Sequence, residues 1–436
     1  MKSLALRGLG TFSSLFGVNL RHSRVTRVVF ALVAIAACVF LMRAAARIGF
    51  SRLLNRYATA ANSLAAADQA IQLTPDDPDA HRARATVLDR LYRPADAERS
   101  LEIATSLRPG DAVQWLELGA TREELEDGAG ADEAGALVAY DQAVRCAPYY
   151  GQTHWQRGNL LLRLGRYHEA FDDLRQAAAS NRKFLPNVID LAWSLTKGDT
   201  NETASLAGID KDADRLEFAR FLARKGKGEA LVEQISLLAT PLSDQNRQEL
   251  TRFAFTAGTF NAAFRLSSGG VKTEEVINGG FEEPLSRNDT PFGWKISSAQ
   301  TKPKLAVDVS ERAEGQRSLQ VTFEGDWGVS GTALVSQTIV VQGGGRYRLD
   351  FALRTKELVT GGPPRIVLTD ATNNQILARS DAFPQTTNAW QQMNIEFTAP
   401  AKSEAVVIGL TRDNCSSSPC PIFGVVWLDE FVLQKL

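Results

Sequence analysis

The spacing of apolar and polar positions changes twice along the 436-residue chain, and each change marks a different kind of structure. Val28 to Met42, VVFALVAIAACVFLM, contains no charged or strongly polar residue. As a helix this run covers about 22 Å, short of the roughly 30 Å hydrocarbon core of a bilayer. Extension through Phe50 gives about 34 Å and lets Arg43 and Arg47 snorkel to the headgroups, so residues 28–50 are the expected transmembrane helix. From residue 58 to residue 267 apolar positions recur at intervals of three and four, the period of amphipathic helices. After Ser267-Ser268-Gly269-Gly270 the period falls to two. Tyr347, Leu349, Phe351 and Leu353 alternate with Arg346, Arg348, Asp350 and Arg354, which places one set in a core and the other against solvent or ligand. Strands are expected at Ser318–Phe323, Thr332–Val341, Arg346–Lys356, Arg365–Thr369, Trp390–Thr398, Ala405–Thr411 and Gly424–Leu433. The fold class is therefore multidomain, α then β: a single transmembrane helix, a run of amphipathic helices, and a C-terminal antiparallel β-sandwich over 274–436.

The helical part repeats itself. Ser63, Ala67, Ala70 and Pro75 have the same spacing as Ala97, Leu101, Ala104 and Pro109, then Ala136, Tyr140, Ala143 and Pro148, then Ala170, Leu174, Ala177 and Arg182. Small residues at these offsets admit a neighbouring helix, and the proline ends the second helix of each unit. First helices are marked by Ala85, by Trp115-Leu116-Glu117-Leu118-Gly119, and by Trp155 with Gly158, Leu161, Gly165 and Tyr167. On these residues the region 58–183 resembles the tetratricopeptide repeat, with two departures: a longer acidic loop within EELEDGAGADE, and Arg182 in place of a terminating proline. Residues 184–267 continue as degenerate repeats that cap the solenoid, with Lys197–Asp212 read as a loop. The resemblance implies a concave groove for a protein or extended peptide, carried over onto Arg82, Asp89, Arg90, Glu123, Glu124, Trp155, Asn159 and Arg163. The competing reading makes Trp155 a core residue and the charges a solvated face.

In the β region, four motifs occur in order: Val276-Ile277-Asn278-Gly279-Gly280-Phe281-Glu282, Gly293-Trp294, Gly315-Gln316-Arg317-Ser318-Leu319 and Val426-Trp427-Leu428-Asp429-Glu430-Phe431. Together they resemble the jelly-roll, galactose-binding-like carbohydrate-binding modules appended to cellulases and xylanases. That resemblance implies a structural calcium held by Glu282 and Asp429; the alternative is a turn cap and a backbone acceptor without metal. It also implies a polysaccharide or oligosaccharide ligand. Trp327, among the loop-forming residues Gly325-Asp326-Trp327-Gly328, is the aromatic expected to be exposed, while Trp294, Trp390 and Trp427 are expected to be buried. Arg348, Asp350 and Arg354 are the expected polar stripe beside it.

Composition adds exclusions. A net charge of −1 gives no basic surplus for nucleic acid. His22, His81, His154 and His168 lack zinc-site spacing, and neither a nucleophile elbow nor a phosphate loop appears, so the expectation is a protein that is not an enzyme. Calcium apart, no cofactor is implied. Cys415 and Cys420 flank the turn SSSP and suit a disulfide in an oxidising compartment; two free thiols in a reducing one are the alternative.

Residues 1–27 carry Lys2, Arg7, Arg21, Arg24 and Arg27 without an acid, which favours a cytoplasmic N-terminus and an exported remainder in a bacterial-type inner membrane. A cleaved signal peptide ending after Ala44 to Ala46, a lipoprotein box at Ile35-Ala36-Ala37-Cys38 and a mitochondrial presequence compete with that reading. The function expected is a membrane-anchored scaffold that binds a protein through its repeats and a glycan through its sandwich, in cell-surface or exported polysaccharide assembly. An accessory part of a glycan-hydrolysing enzyme and a pure protein scaffold are the alternatives.

Overall fold

Helix α1 (Arg24–Ala61) runs unbroken for 38 residues, and its two halves live in different surroundings. The structure, a computed structural model, describes residues 24–124, 132–267, 273–285, 291–297, 303–325, 327, 333–415 and 419–436, with side chains from Val28 onward. Within them the chain forms two units that meet in sequence at Phe184 and Leu185. The first half of α1 exposes its apolar side chains and is long and apolar enough to cross a membrane. The second half is already part of the repeats. Ser51 and Ala58 are fully buried; the Ser51 hydroxyl donates to the Ala70 carbonyl at 3.2 Å and lies 2.6 Å from the Thr74 hydroxyl. Arg47 donates to the Leu73 carbonyl at 2.8 Å, so it is tied to the end of α2 (Leu64–Leu73) and does not snorkel as expected. The repeat fold thus starts before residue 58, because α1 serves as the partner of α2.

Helices α3 (Pro78–Arg90), α4 (Pro94–Leu107), α5 (Ala112–Glu124), α6 (Glu133–Cys146), α7 (Gly151–Arg163) and α8 (Tyr167–Ser180) continue the series in pairs. The small positions behave as the spacing requires: Ala67, Ala70, Ala97, Ala104, Ala136, Ala143, Ala170 and Ala177 are all 0% exposed. Ser63 differs, since it is the N-cap of α2 and accepts from the Ala66 amide. Gly119 is required by close approach, for a Cβ there would stand 2.4 Å from the Tyr140 ring. A further device recurs with the repeat. The ring nitrogens of His81, Trp115 and His154 each meet the carbonyl of the proline six residues earlier, at 2.7, 2.8 and 2.8 Å. The proline therefore ends one helix and its carbonyl anchors the next. Most of the acidic loop, residues 125–131, lies outside the described residues. Where the proline is missing, a short 3₁₀ turn, Arg182–Phe184, takes its place.

The second unit opens with α9 (Leu185–Leu195), α10 (Thr200–Ala207), α11 (Asp212–Arg224), α12 (Gly228–Ser236), α13 (Asp244–Thr256) and α14 (Phe260–Ser267). The segment expected to be a loop from Lys197 to Asp212 contains α10, which the Asp199 side chain caps at one end and left-handed Gly208 closes at the other. Two short helix signals were enough where the hydrophobic period was too brief to register. These six helices share a unit with the sandwich. Phe292, from the β region, lies edge-on between Phe255 of α13 and Phe264 of α14, and Glu404 accepts from the Asn261 amide at the start of α14.

The sandwich comprises β1 (Lys295–Ile296), β2 (Lys304–Asp308), β3 (Ser318–Gly325), β4 (Val335–Val340), β5 (Arg346–Thr360), β6 (Pro364–Asp370), β7 (Ile376–Arg379), β8 (Gln391–Thr398), β9 (Ala405–Arg412) and β10 (Ile422–Lys435). Among the described residues they form two antiparallel five-stranded sheets, ordered β1-β4-β9-β6-β7 and β2-β3-β10-β5-β8. Every expected strand is present; Thr332, the expected start of one, lies outside the described residues. The short strands β1, β2 and β7 were not expected. Phe281, Tyr347, Leu349, Phe351, Ile408 and Val426, all buried, fill the space between the sheets. Phe351 stacks on Phe431 at 5.1 Å, and each such ring stabilises the fold by about 1.5–3 kcal/mol of burial.

Candidate functional site

Because Tyr347, Leu349, Phe351 and Leu353 point into the core, β5 turns Arg348, Asp350, Ala352 and Arg354 to the outer face of its sheet. Strand pairing sets Ala306, Gln320, Trp427 and Arg354 side by side in one row across β2, β3, β10 and β5. The row is bonded together. The Trp427 indole N–H and the Gln320 amide both donate to Asp308 Oδ2, each at 2.9 Å. Burial works against the Asp308 charge, yet the Trp427 indole and the donors of Ser310 and Glu311 hold its carboxyl below the usual carboxylate range. The Arg354 guanidinium lies over the Trp427 ring, 5.5 Å from its centre, and pairs with Glu311. Trp427 is only 5% exposed, yet it belongs to the outer face and not to the core between the sheets. The next row carries Lys304, Thr322, Val425 and Lys356, and beyond it Phe423 is half exposed.

The loop between β2 and β3 crosses this face. Asp429 Oδ2 accepts from the Ala313 and Glu314 amides at 2.9 and 3.4 Å, and Oδ1 accepts from the Glu430 amide at 2.8 Å. Glu282 Oε1 accepts from the Gln316 and Arg317 amides at 2.7 and 3.2 Å. Burial pushes the Asp429 carboxyl up in spite of its amide donors. The two carboxylates expected to ligate calcium both grip one loop through its backbone N–H groups. Glu282 Oε1 and both Asp429 oxygens are thus engaged by backbone amides, and among the described residues there is no group of three or more His, Cys, Asp or Glu that could hold a metal. The loop also divides the expected polar stripe. Arg348 bonds Asp350 at 3.0 Å and Gln434 at 2.8 Å on one side, while Arg354 joins Trp427 on the other.

Trp327 is not the exposed aromatic that its glycine-rich surroundings suggested. It is 5% exposed, stacks on Phe323 at 5.3 Å, and has the Arg412 guanidinium over its ring at 5.8 Å. Gly325, with φ of 121°, turns the chain so that the ring folds back onto the core. Trp294 and Trp427 are buried as expected, but Trp390 is half-buried. It directly precedes β8, whose ladder with β5 begins at Gln391 and Leu353, so alternation puts it on the outer face with Gln392 and Asn394. That signal was present in the sequence, since Met393, Ile395 and Phe397 supply the apolar phase to which Trp390 does not belong.

In the repeats, the expected groove residues are joined to residues one repeat away. Arg82 grips Glu117 with two bonds at 2.7 and 2.6 Å, Arg163 pairs with Glu123, and Arg90 donates to the Thr59 carbonyl and to Asn62. Burial and a hydrogen bond with Asp89 push the Glu124 carboxyl up. Asn159 donates to the Trp155 carbonyl, and Trp155 is half-buried, stacked on Phe184 at 4.9 Å. Trp155 is thus neither a free anchor nor a core residue. Cys415 and Cys420 are joined in a disulfide, with Cα atoms 5.8 Å apart.

The sequence pattern of the family described as a carbohydrate binding domain matches residues 273–414, the sandwich up to β9. FlbA of Caulobacter vibrioides is 30% identical over 106 residues, which are 24% of this chain and 17% of that protein. Among solved structures, one titled for Pseudomonas aeruginosa pilF covers 52% of this chain and 90% of its own, at 16% identity and a TM-score of 0.31. One titled "CBM4 structure and function" covers 37% of this chain and 99% of its own, at 15% identity and a TM-score of 0.28. The helical pairs and the two-sheet sandwich described above are therefore each similar to a known fold, and the family match falls on the sandwich alone.

Proposed function

We propose that this chain is a non-catalytic, membrane-anchored scaffold that holds a glycan on the outer face of the sheet β2-β3-β10-β5-β8. The observation that carries this reading is the row Gln320–Trp427–Arg354, flanked by Trp390, in a domain matched by a carbohydrate-binding family. Sugars are recognised by flat aromatic faces beside planar polar groups, and this face carries the polar groups with Trp390 half-buried at its edge and Trp427 beneath Arg354. The other sheet is less available, because α14 packs beside β4. The repeats bind a protein or extended peptide along Arg82, Asp89, Arg90, Trp155, Asn159 and Arg163, and the assembly serves the export or surface display of a polysaccharide.

The anchor fits a bilayer if the span ends short of Arg47. Residues 25–46 as a helix cover about 33 Å, and Arg47 is already bonded within the first repeat. The repeats would then stand on the membrane without a flexible linker, with the N-terminus cytoplasmic and the disulfide outside. A glycan array probed with the full chain tests the sugar reading, and binding to no glycan would remove it. Alkaline phosphatase fused after Leu436 tests the topology, and an inactive fusion would overturn it. Photo-crosslinking from position 155 tests the groove, and the absence of any crosslinked protein in cells would count against it.

A further inference from the structure

Trp427 raises a question the fold alone does not answer. The tryptophan lies on the outer face of a sheet, beyond the stretch that the family pattern covers, and has a charged side chain over its ring. The Arg354 guanidinium lies over its ring, 5.5 Å from the centre. Arg354 is held there by Glu311, and both side chains are partly exposed, 26% and 38%. Arg354 Nε is buried with no hydrogen-bond partner, so the residue is imperfectly satisfied in its covering position. The indole edge, by contrast, is fixed: its N–H is bonded to Asp308, which Gln320 also bonds. The indole N–H is therefore fixed, while the guanidinium over the ring is held by a partly exposed ion pair.

We propose that Trp427 is the stacking platform for a pyranose ring and that Arg354, tethered by Glu311, is its displaceable cover. This rests on the glycan reading above and names the residues that would perform it. A sugar's apolar face replaces the guanidinium on the indole, and the released Arg354 presents Nε and its other donors to ring hydroxyls or to a uronate carboxylate. Lys356, Thr322 and Gln320 stand in the same or the next row to receive neighbouring hydroxyls. Glu311 sets how often the platform is open, because the loop that carries it is gripped by Glu282 and Asp429. The purpose of the arrangement is selectivity: a ligand must gain more from the platform than the Arg354–Glu311 pair loses.

The test uses the full chain in detergent, run on native affinity gels containing xylan, mixed-linkage β-glucan or a pectic galacturonan. Glu311→Gln should tighten retention on the polysaccharide bound by wild type by about fivefold, the worth of one partly exposed ion pair. Trp427→Phe should keep most of the affinity, and Trp427→Leu should lower it by about tenfold or more. Because Trp427→Leu also removes packing, its melting temperature is measured alongside, and Glu311→Gln provides a readout that misfolding would not mimic. If wild type is retained and neither Glu311→Gln nor Arg354→Ala changes retention, the platform lies elsewhere and the proposal fails while the glycan reading stands. If wild type is not retained but Arg354→Ala is, the cover is demonstrated. If no variant is retained on any of the three gels, both the proposal and the glycan reading fall.

Discussion

Replacing His154 by phenylalanine keeps the ring volume and removes both ring nitrogens from a site that uses each of them. Nδ1 stands 2.8 Å from Asp173 Oδ1 and Nε2 stands 2.8 Å from the Pro148 carbonyl. Two acceptors on opposite sides of one imidazole are both satisfied only when the ring carries two protons. In agreement, the hydrogen bond with Asp173 raises the His154 pKa above its ordinary value against the effect of burial. Burial opposes ionisation of Asp173 too, but Arg157, at 2.6 and 2.7 Å, and His154 hold its carboxyl below the usual range. Losing the charged bond costs about 1.5–3 kcal/mol and losing the carbonyl bond about 1 kcal/mol more. The sign with pH follows from the two directions. His154, raised in the fold, contributes fully below its unfolded pKa of about 6.5, and that contribution is lost as pH rises through its folded value. Asp173, lowered in the fold, contributes above about pH 4, and its contribution is lost as pH falls through its depressed value. The variant should therefore be about 2–4 kcal/mol less stable than wild type near pH 5.5 and closer to it at pH 9. Hydrogen exchange of α7 and α8 in the full chain, corrected for intrinsic exchange at each pH, reads this difference locally. An equal deficit at both pH values would refute the imidazolium.

Three further outcomes follow from the geometry. Trp327→Ala should destabilise the sandwich by about 3–5 kcal/mol, seen as a lower thermal midpoint, because the ring is buried on Phe323; an unchanged midpoint would restore the exposed reading. Gly119→Ala should cost about 1–3 kcal/mol in urea unfolding of the repeats, since the new Cβ meets the Tyr140 ring, and a neutral result would mean that the ring moves freely. A chelator should leave the midpoint of the sandwich unchanged if the loop amides bonded to Glu282 and Asp429 serve in place of a cation; a fall of several degrees, restored by added calcium, would show that a cation is held there.

The parts legible in the sequence are those written in a period. Alanines every three or four residues announced the buried seams of the repeats, and alternation in Tyr347 to Arg354 fixed which face of β5 met the core. What stayed hidden depends on contacts between segments distant in sequence. Trp327 sits among loop-forming residues and looked exposed, but its burial is decided by Phe323 and by Arg412, which arrives from another strand. Alternation puts Arg354 in one stripe with Arg348 and Asp350, but a loop held by Asp429 and Glu282 separates them. The covering of Trp427 needs four strands and one loop in register, and no local pattern encodes it. His81, Trp115 and His154 are different, since each lies six residues after a helix-ending proline and could have been noticed as a repeat of its own.

Under the function proposed above, the chain holds a glycan without cleaving it. The full chain embedded in lipid nanodiscs can be incubated with the polysaccharide that its array identifies, and both co-sedimented sugar and new reducing ends can be measured on one sample. Retention with no increase in reducing ends, lost in Trp427→Leu, is the predicted result; retention accompanied by steadily rising reducing ends would contradict it.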